Sequence, residues 1–275
     1  MDALRLTAEW PAETICVAVV GRAGVLAASG PSVDLPWASV TKMLTALVVL
    51  DAVQEGLLDL DEPAGPPGST VRHLLAHASG LSPDGDRALA APARYRIYSN
   101  GGFELLAEML ARRAGVPFAD RLDERVLRPL GLAVELVGSP AHGAHGAIVD
   151  LAALGRELLA PTLLTPDLLA LATTPAFPEL AGVLPGFGRQ RTNDWGLGFE
   201  IRDGKNPHWT GPANSPRTFG HFGMSGTFLW VDPDAALACA CLTDRPFGPW
   251  ASDAWPTLSD AVLREFRPAS PSYGQ

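Results

Sequence analysis

The apolar positions change texture twice along the chain. Residues 15–20 form a β-branched apolar run that predicts a buried strand. Gly21 and Gly24 bracket a turn from which residues 25–28 pair back as a hairpin. From residue 39 to 55 the spacing is helical. Met43, Leu44, Ala46, Leu47, Val48, Val49, Leu50, Ala52 and Val53 cover nearly the whole circumference, which predicts a central, buried helix. Residues 61–69 are rich in Pro and Gly and read as loop. Helices are predicted over 71–77, 102–114, 118–127 and 149–159. Thr165-Pro166 has the form of an N-cap followed by proline at the first helical position. Residues 173–193 read as a long loop region. Strand texture then returns over 195–202, with Asp203-Gly204 as a hairpin signal. Strands at 227–231 and 236–243 follow, joined by Asp232-Pro233-Asp234. Residues 255–266 predict an amphipathic helix and 267–275 a frayed tail.

Strands at both ends and helices between them predict an α+β fold. An antiparallel sheet built from the N- and C-terminal segments is flanked by helices, and an all-helical region is inserted. The corresponding division is a sheet domain of residues 1–56 and 194–275 and a helical domain of residues 57–193. The 275 residues suit one such two-lobed body.

Composition narrows the function classes. With 47 % apolar and 19 % charged residues the chain has material for a large core and is too apolar for disorder. Its net charge of −9 argues against a phosphate-binding surface, so nucleic acid is not an expected partner. No apolar run approaches the roughly 18 residues of a membrane span, and the first ten residues carry Asp2 and Glu9 rather than a basic leader, so the expectation is a cytoplasmic protein without membrane contact. Of three cysteines, Cys239 and Cys241 alternate in a strand and should share a face. An odd, sparse count reads as buried free thiols.

Three short stretches carry candidate chemistry. In Ser39-Val40-Thr41-Lys42, positions i and i+3 of a helix share a face, which sets a hydroxyl within reach of an amine. A serine nucleophile needs a base, and a lysine becomes one when burial lowers its pKa. Taken alone, the stretch also reads as a serine N-cap with a solvated lysine. In Tyr98-Ser99-Asn100 the phenol, ionised beside a lysine ammonium, can relay a proton, and Asn100 offers a donor and an acceptor to an amide or ester. The same stretch also reads as a helix start with a core tyrosine. Residues 220–227, Gly-His-Phe-Gly-Met-Ser-Gly-Thr, hold three glycines leading into a strand, which suits a backbone that something must approach closely. A bulge with a surface histidine is the alternative. His73 and His77, four apart on a predicted helix, can bind zinc in principle. No glutamate follows His73, and no metal or other cofactor is expected. His142 and His145 sit among glycines and read as loop residues, with a place lining the cleft as the alternative.

Taken together, the order S-x-x-K, Y-x-N, H-x-G resembles the serine β-lactamase and penicillin-binding-protein superfamily, on the branch of class C β-lactamases, DD-peptidases and family VIII carboxylesterases. Supporting stretches are V-R-H-L-L-A-H-A-S-G-L at 71–81, L-R-P-L-G-L at 127–132 and W-G-L-G-F at 195–199, and the resemblance spans roughly residues 12–266. It implies a β-lactamase/transpeptidase-like fold. It also implies Ser39 as the acylated nucleophile, Lys42 as its proton acceptor and Tyr98 as general base and acid. Asn100 and His221 would hold substrate, and the N–H groups of Ser39 and Met224, beside Gly223, would form the oxyanion hole. Two departures bear on substrate. Phe222 stands where the family often has Thr or Ser, and His221 stands where class C enzymes have Lys. Both disfavour anionic substrates. The implied function is a serine hydrolase forming an acyl-enzyme on a small-molecule ester or amide, carboxylesterase-like. β-Lactamase or DD-carboxypeptidase action, acyl transfer and a non-catalytic ligand-binding homologue are the alternatives. Oligomeric state is left open.

Overall fold

The computed structural model describes residues 2–267, so most of the tail expected at 267–275 lies outside the described residues. In chain order the first elements are β1 (Ile15–Gly21), β2 (Gly24–Ser29), β3 (Leu35–Pro36), a 3-10 turn at Ala38–Val40, and α1 (Thr41–Gln54). The middle of the chain gives α2 (Val71–Leu75), α3 (Asn100–Ala114) and α4 (Phe118–Leu122), which runs through a π turn into α5 (Arg128–Leu130). β4 (Glu135–Leu136), β5 (Ala144–Gly146), α6 (Ile148–Leu159) and α7 (Pro166–Ala172) follow, then the hairpin β6 (Gly182–Leu184) and β7 (Gly188–Gln190). The last segment holds β8 (Glu200–Ile201), β9 (Phe219–Gly223), β10 (Thr227–Asp232), β11 (Leu237–Thr243) and α8 (Pro249–Phe266).

The main sheet is antiparallel in the order β2-β1-β11-β10-β9-β8, so the N-terminal hairpin pairs with C-terminal strands, as expected for this α+β class. Alternation along the strands gives the sheet two apolar faces. Cys16, Ala18 and Val20 of β1 and Ala238, Ala240 and Leu242 of β11 join the core that contains α1 and α6. Val17, Val19, Leu237, Cys239 and Cys241 join the core under α8. Cys239 and Cys241 therefore share a face, and all three cysteines are buried free thiols. α6 falls within residues 57–193 yet packs on the sheet through β1 and β11. α1 is buried along its length from Thr41 to Ala52.

Three sequence expectations are corrected. Residues 195–202 do not form a continuous strand. The chain doubles back on itself, with Trp195 bridging Glu200 and the Gly196 N–H donating to the Phe199 carbonyl at 2.8 Å. Gly198 makes this reversal at φ +92°, pressed so closely on α1 that a Cβ would lie 2.2 Å from the Ala46 Cβ. Asp203-Gly204 is a turn but not a tight hairpin, because β8 reaches its partner β9 only after a long loop. The interval 173–193, expected as loop, contains the β6–β7 hairpin.

Phe222 of β9 is buried on the α8 side, with ring centres 5.0 Å from Phe247, 5.8 Å from Trp209 and 5.9 Å from Phe187 and Trp255. Removing a ring from so dense a cluster leaves a cavity. Phe222→Ala is expected to destabilise the fold by about 3–5 kcal/mol, read from urea denaturation. A loss under about 1 kcal/mol would show that the cluster is not a packing unit.

Candidate active site

The site forms where the start of α1, the start of α3 and the end of β9 meet. Ser39 lies in the 3-10 turn before α1, directly after Ala38, whose φ of +44° is unusual for a residue with a side chain. Thr41 ties this turn down. Its hydroxyl donates to the Ala38 carbonyl at 2.6 Å and accepts the Ala144 N–H at 3.0 Å. Lys42, one turn along, is fully buried. Its Nζ lies 3.5 Å from Ser39 Oγ and donates to Asn100 Oδ1 at 2.7 Å and to the Ala141 carbonyl at 2.9 Å. Burial, partly offset by the carboxylates of Glu104 and Asp84, lowers the Lys42 pKa to about 7.

Tyr98 reaches the same serine from the other side, with its OH donating to Ser39 Oγ at 2.7 Å. Ser99 caps α3 by accepting the Gly102 N–H at 3.1 Å, and the Ser99 N–H donates to His77 Nδ1 at 3.1 Å, which fixes the turn that presents Tyr98. Asn100 is oriented by Asp84, whose Oδ1 accepts its Nδ2 at 2.9 Å. Burial raises the Tyr98 phenol above its usual value, with Asp84 adding to the effect and the Ser39 hydrogen bond opposing it. Lys42 lowered and Tyr98 raised together favour a neutral amine beside a neutral phenol. The ionised phenol expected from the sequence is disfavoured, first because burial desolvates the phenolate itself.

β9 closes the third side. A Cβ on Gly223 would lie 2.5 Å from the Trp37 carbonyl and 3.2 Å from the Ser39 N, so glycine lets the strand end press against the serine turn. The turn after β9 closes through the Gly226 N–H to the Gly223 carbonyl at 3.1 Å, a bond that does not use the Met224 N–H. The Met224 side chain is exposed. Gly223→Ala is expected to lower turnover of any Ser39-dependent substrate about 100-fold by displacing the nucleophile turn, measured as kcat/KM against wild type. Full activity would mean that this contact does not position Ser39.

His221 is buried beside Tyr98 and Trp195, with ring centres at 5.8 Å and 5.3 Å. Burial first, and Lys42 second, push its pKa down to about 3, so it is neutral. Its Nδ1 donates to the Phe222 carbonyl at 2.7 Å, leaving Nε2 as an acceptor without a partner among the described residues. The seven predicted site residues thus come together, with Gly223 packed on the serine turn and Met224 in the pocket lining.

Three features escaped the sequence reading. His77, weighed from the sequence as half of a zinc pair, lies with its ring tilted at 4.5 Å from Tyr98 and anchors Ser99. Trp195 forms an edge contact with His77 at 4.6 Å and lines the pocket. Glu200 lines the pocket, paired with Lys205 at 2.6 Å, His208 at 2.9 Å and Trp209 Nε1 at 3.0 Å. Burial opposes its ionisation, but the charges of His208 and Lys205 hold the carboxyl at about 2. One signal was available. The chain has two lysines, Lys42 and Lys205, and both are fully buried, so neither serves as a surface cation. Among the described residues no His, Cys, Asp and Glu cluster could hold a metal ion, and no helix is long and apolar enough to cross a membrane.

Comparison with known proteins gives a coherent set of relatives. A family model described as Beta-lactamase matches residues 35–263. A crystal structure described as a beta-lactamase from Mycobacterium bovis is 53% identical, with TM-score 0.95, covering 96% of this chain and 99% of that one. The structure of EstCE1, a hydrolase with promiscuous acyltransferase activity, shares the fold at 18% identity and TM-score 0.76, over 95% of this chain and 96% of that one. Among curated proteins, the Escherichia coli D-alanyl-D-alanine-carboxypeptidase/endopeptidase AmpH is 28% identical over 34% of this chain. The match spans about a third of that relative's length, 34%.

Proposed function

The chain belongs to the beta-lactamase family, and from that premise we propose that it is a serine hydrolase that forms an acyl-enzyme on small neutral esters. The observation that carries this reading is Ser39 Oγ held between the Tyr98 hydroxyl at 2.7 Å and Lys42 Nζ at 3.5 Å, with Lys42 brought to a pKa of about 7. Neutral Lys42 takes the hydroxyl proton as Ser39 Oγ bonds to the ester carbon. The Ser39 and Met224 N–H groups are the donors assigned to the developing oxyanion. Tyr98, kept as a phenol, gives its proton to the departing alcohol oxygen, and the proton held on Lys42 restores the phenol. Water then enters where the alcohol left, and the same groups run the steps in reverse. Neutral His221 packs against Tyr98 at 5.8 Å between ring centres, and Asn100 steadies Lys42.

The pocket wall supports a neutral substrate. Besides Ser39 and Tyr98 it is lined by Leu184, Pro185, Trp195, Phe222 and Met224, with neutral His221 and the lysine-paired Glu200. Among the described residues its lining holds no cation to meet a substrate carboxylate. Hydrolysis of β-lactams is a second reading, supported by the name of the Mycobacterium bovis relative at 53% identity. The two separate in one assay of p-nitrophenyl butyrate and nitrocefin on the same preparation. The ester reading expects kcat/KM for the butyrate at least tenfold above that for nitrocefin, and the reverse order would replace it with the β-lactam reading.

A further inference from the structure

The catalytic pocket has two compartments of very different size, and Tyr98 stands between them. The compartment beside Ser39, Leu184, Trp195, Phe222 and Met224 has a free volume of about 40 Å³. A single water-sized group needs about 10–15 Å³ on this measure, so the compartment takes about three such groups. On the other side of Tyr98 and Pro185 opens a groove of about 630 Å³, walled by Pro83, Leu89, Tyr95, Ile97 and Val183. That volume lies in the range of a drug-sized ligand site.

The groove is preformed. The Arg96 N–H donates to the Ala181 carbonyl at 2.9 Å, and a Cβ on Gly182 would lie 2.4 Å from the Arg96 carbonyl, so the β6–β7 hairpin is pressed onto the segment that ends in Tyr98. The Arg96 guanidinium is occupied with the carbonyls of Ala76, Ala176, Phe177 and Asn193. It therefore adds no cation to the groove, and among the described residues exposed Arg189 is the one charged side chain left on its rim. Leu89, Tyr95 and Val183 are 46%, 44% and 58% exposed, an apolar strip that a ligand would cover.

We propose that this groove binds the alcohol part of the ester, and that the substrates are short-acyl esters of bulky apolar alcohols. The inference rests on the serine-hydrolase reading above. The direction follows from the chemistry. The oxygen that departs must hydrogen-bond the Tyr98 hydroxyl, so the atoms attached to it continue past Tyr98, where the groove begins. The carbonyl oxygen is assigned to the N–H groups of Ser39 and Met224, two residues that line the small compartment. The acyl chain is then left with the small compartment.

The test varies one end of the ester at a time. With the acetyl group fixed, kcat/KM is expected to rise at least tenfold from ethyl to hexyl acetate, as each added methylene buried gains a factor of about three to four. With the ethyl group fixed, it is expected to fall at least tenfold from ethyl acetate to ethyl octanoate. Val183→Asp, at an exposed wall position, should cost at least tenfold on hexyl acetate and less than twofold on ethyl acetate. Long acyl chains preferred over long alcohols, or equal losses on both acetates, would overturn the assignment. A binding arm separates this proposal from the one beneath it: calorimetric titration of 1-hexanol into Ser39→Ala protein with and without Val183→Asp. Hexanol binding abolished by Val183→Asp, with no ester turned over by wild type, would keep the groove and sink the hydrolase reading. Ester turnover without alcohol preference or hexanol binding would keep the hydrolase and sink the groove. Failure of both turnover and binding would sink both.

Discussion

Ser39→Ala is expected to lower kcat/KM for p-nitrophenyl butyrate by at least a thousandfold and to leave the fold intact. Ser39 Oγ is the one atom that both Tyr98 OH and Lys42 Nζ address, at 2.7 Å and 3.5 Å. Removing it takes away the bond-forming atom and leaves only the oxyanion donors and substrate binding, which retain a small part of the rate. The surroundings should hold, because Lys42 keeps its bonds to Asn100 and the Ala141 carbonyl, and Ser39 itself is only half-buried. A denaturation midpoint close to wild type checks that point. Mass spectrometry of wild type mixed with a slowly hydrolysed ester should place the acyl group on the peptide containing Ser39. Retention of more than a tenth of the activity by the variant would end the acyl-enzyme reading.

Much of this arrangement was legible before any coordinates. Ser39 and Lys42 are one helical turn apart, and a helix apolar on all sides announces that its lysine is buried. The alternation of Ala238, Cys239, Ala240 and Cys241 announces a strand with both thiols on one face. What escaped had physical reasons. Lys42 is held by the Ala141 carbonyl, and a backbone acceptor leaves no mark on residue type. β6 and β7 are three residues each, too short for an alternation to register against their Gly and Pro neighbours. Residues 195–202 have strand composition, but Gly196 and Gly198 are glycine because Ala172 and Ala46 press on the chain there, which forces a reversal. The charge state of Tyr98 depends on how deeply two groups are buried at once, which residue spacing does not encode.

Lys42→Met tests the base and its electrostatics together. On activity, loss of the proton acceptor should cost about 10²–10⁴-fold. Wild-type kcat/KM should rise with pH through a midpoint near 7, since Lys42 accepts a proton only when neutral. Tyr98 is shifted upward, so no loss from its ionisation is expected up to about pH 10, and the profile should be a single rise rather than a bell. The residual activity of Lys42→Met should lack the midpoint. On stability the sign runs the other way. The unfolded chain keeps lysine protonated up to about pH 10.4, whereas the folded chain releases the proton near 7. Between those values the unfolded state binds more protons, so this group makes the fold more stable as pH rises and costs its full penalty below 7. Methionine has no such penalty, but it leaves Asn100 Oδ1 and the Ala141 carbonyl without their donor. That loss is set by geometry and varies little with pH. The difference between the two proteins is therefore the informative quantity. Lowering the pH from 9.5 to 7 should shift it in favour of Lys42→Met by about 3 kcal/mol, at roughly 1.4 kcal/mol per unit, in urea denaturation of both proteins. A difference that stays flat over this range, or a wild-type rate independent of pH around 7, would mean that Lys42 is protonated in the folded enzyme and that another group takes the Ser39 proton.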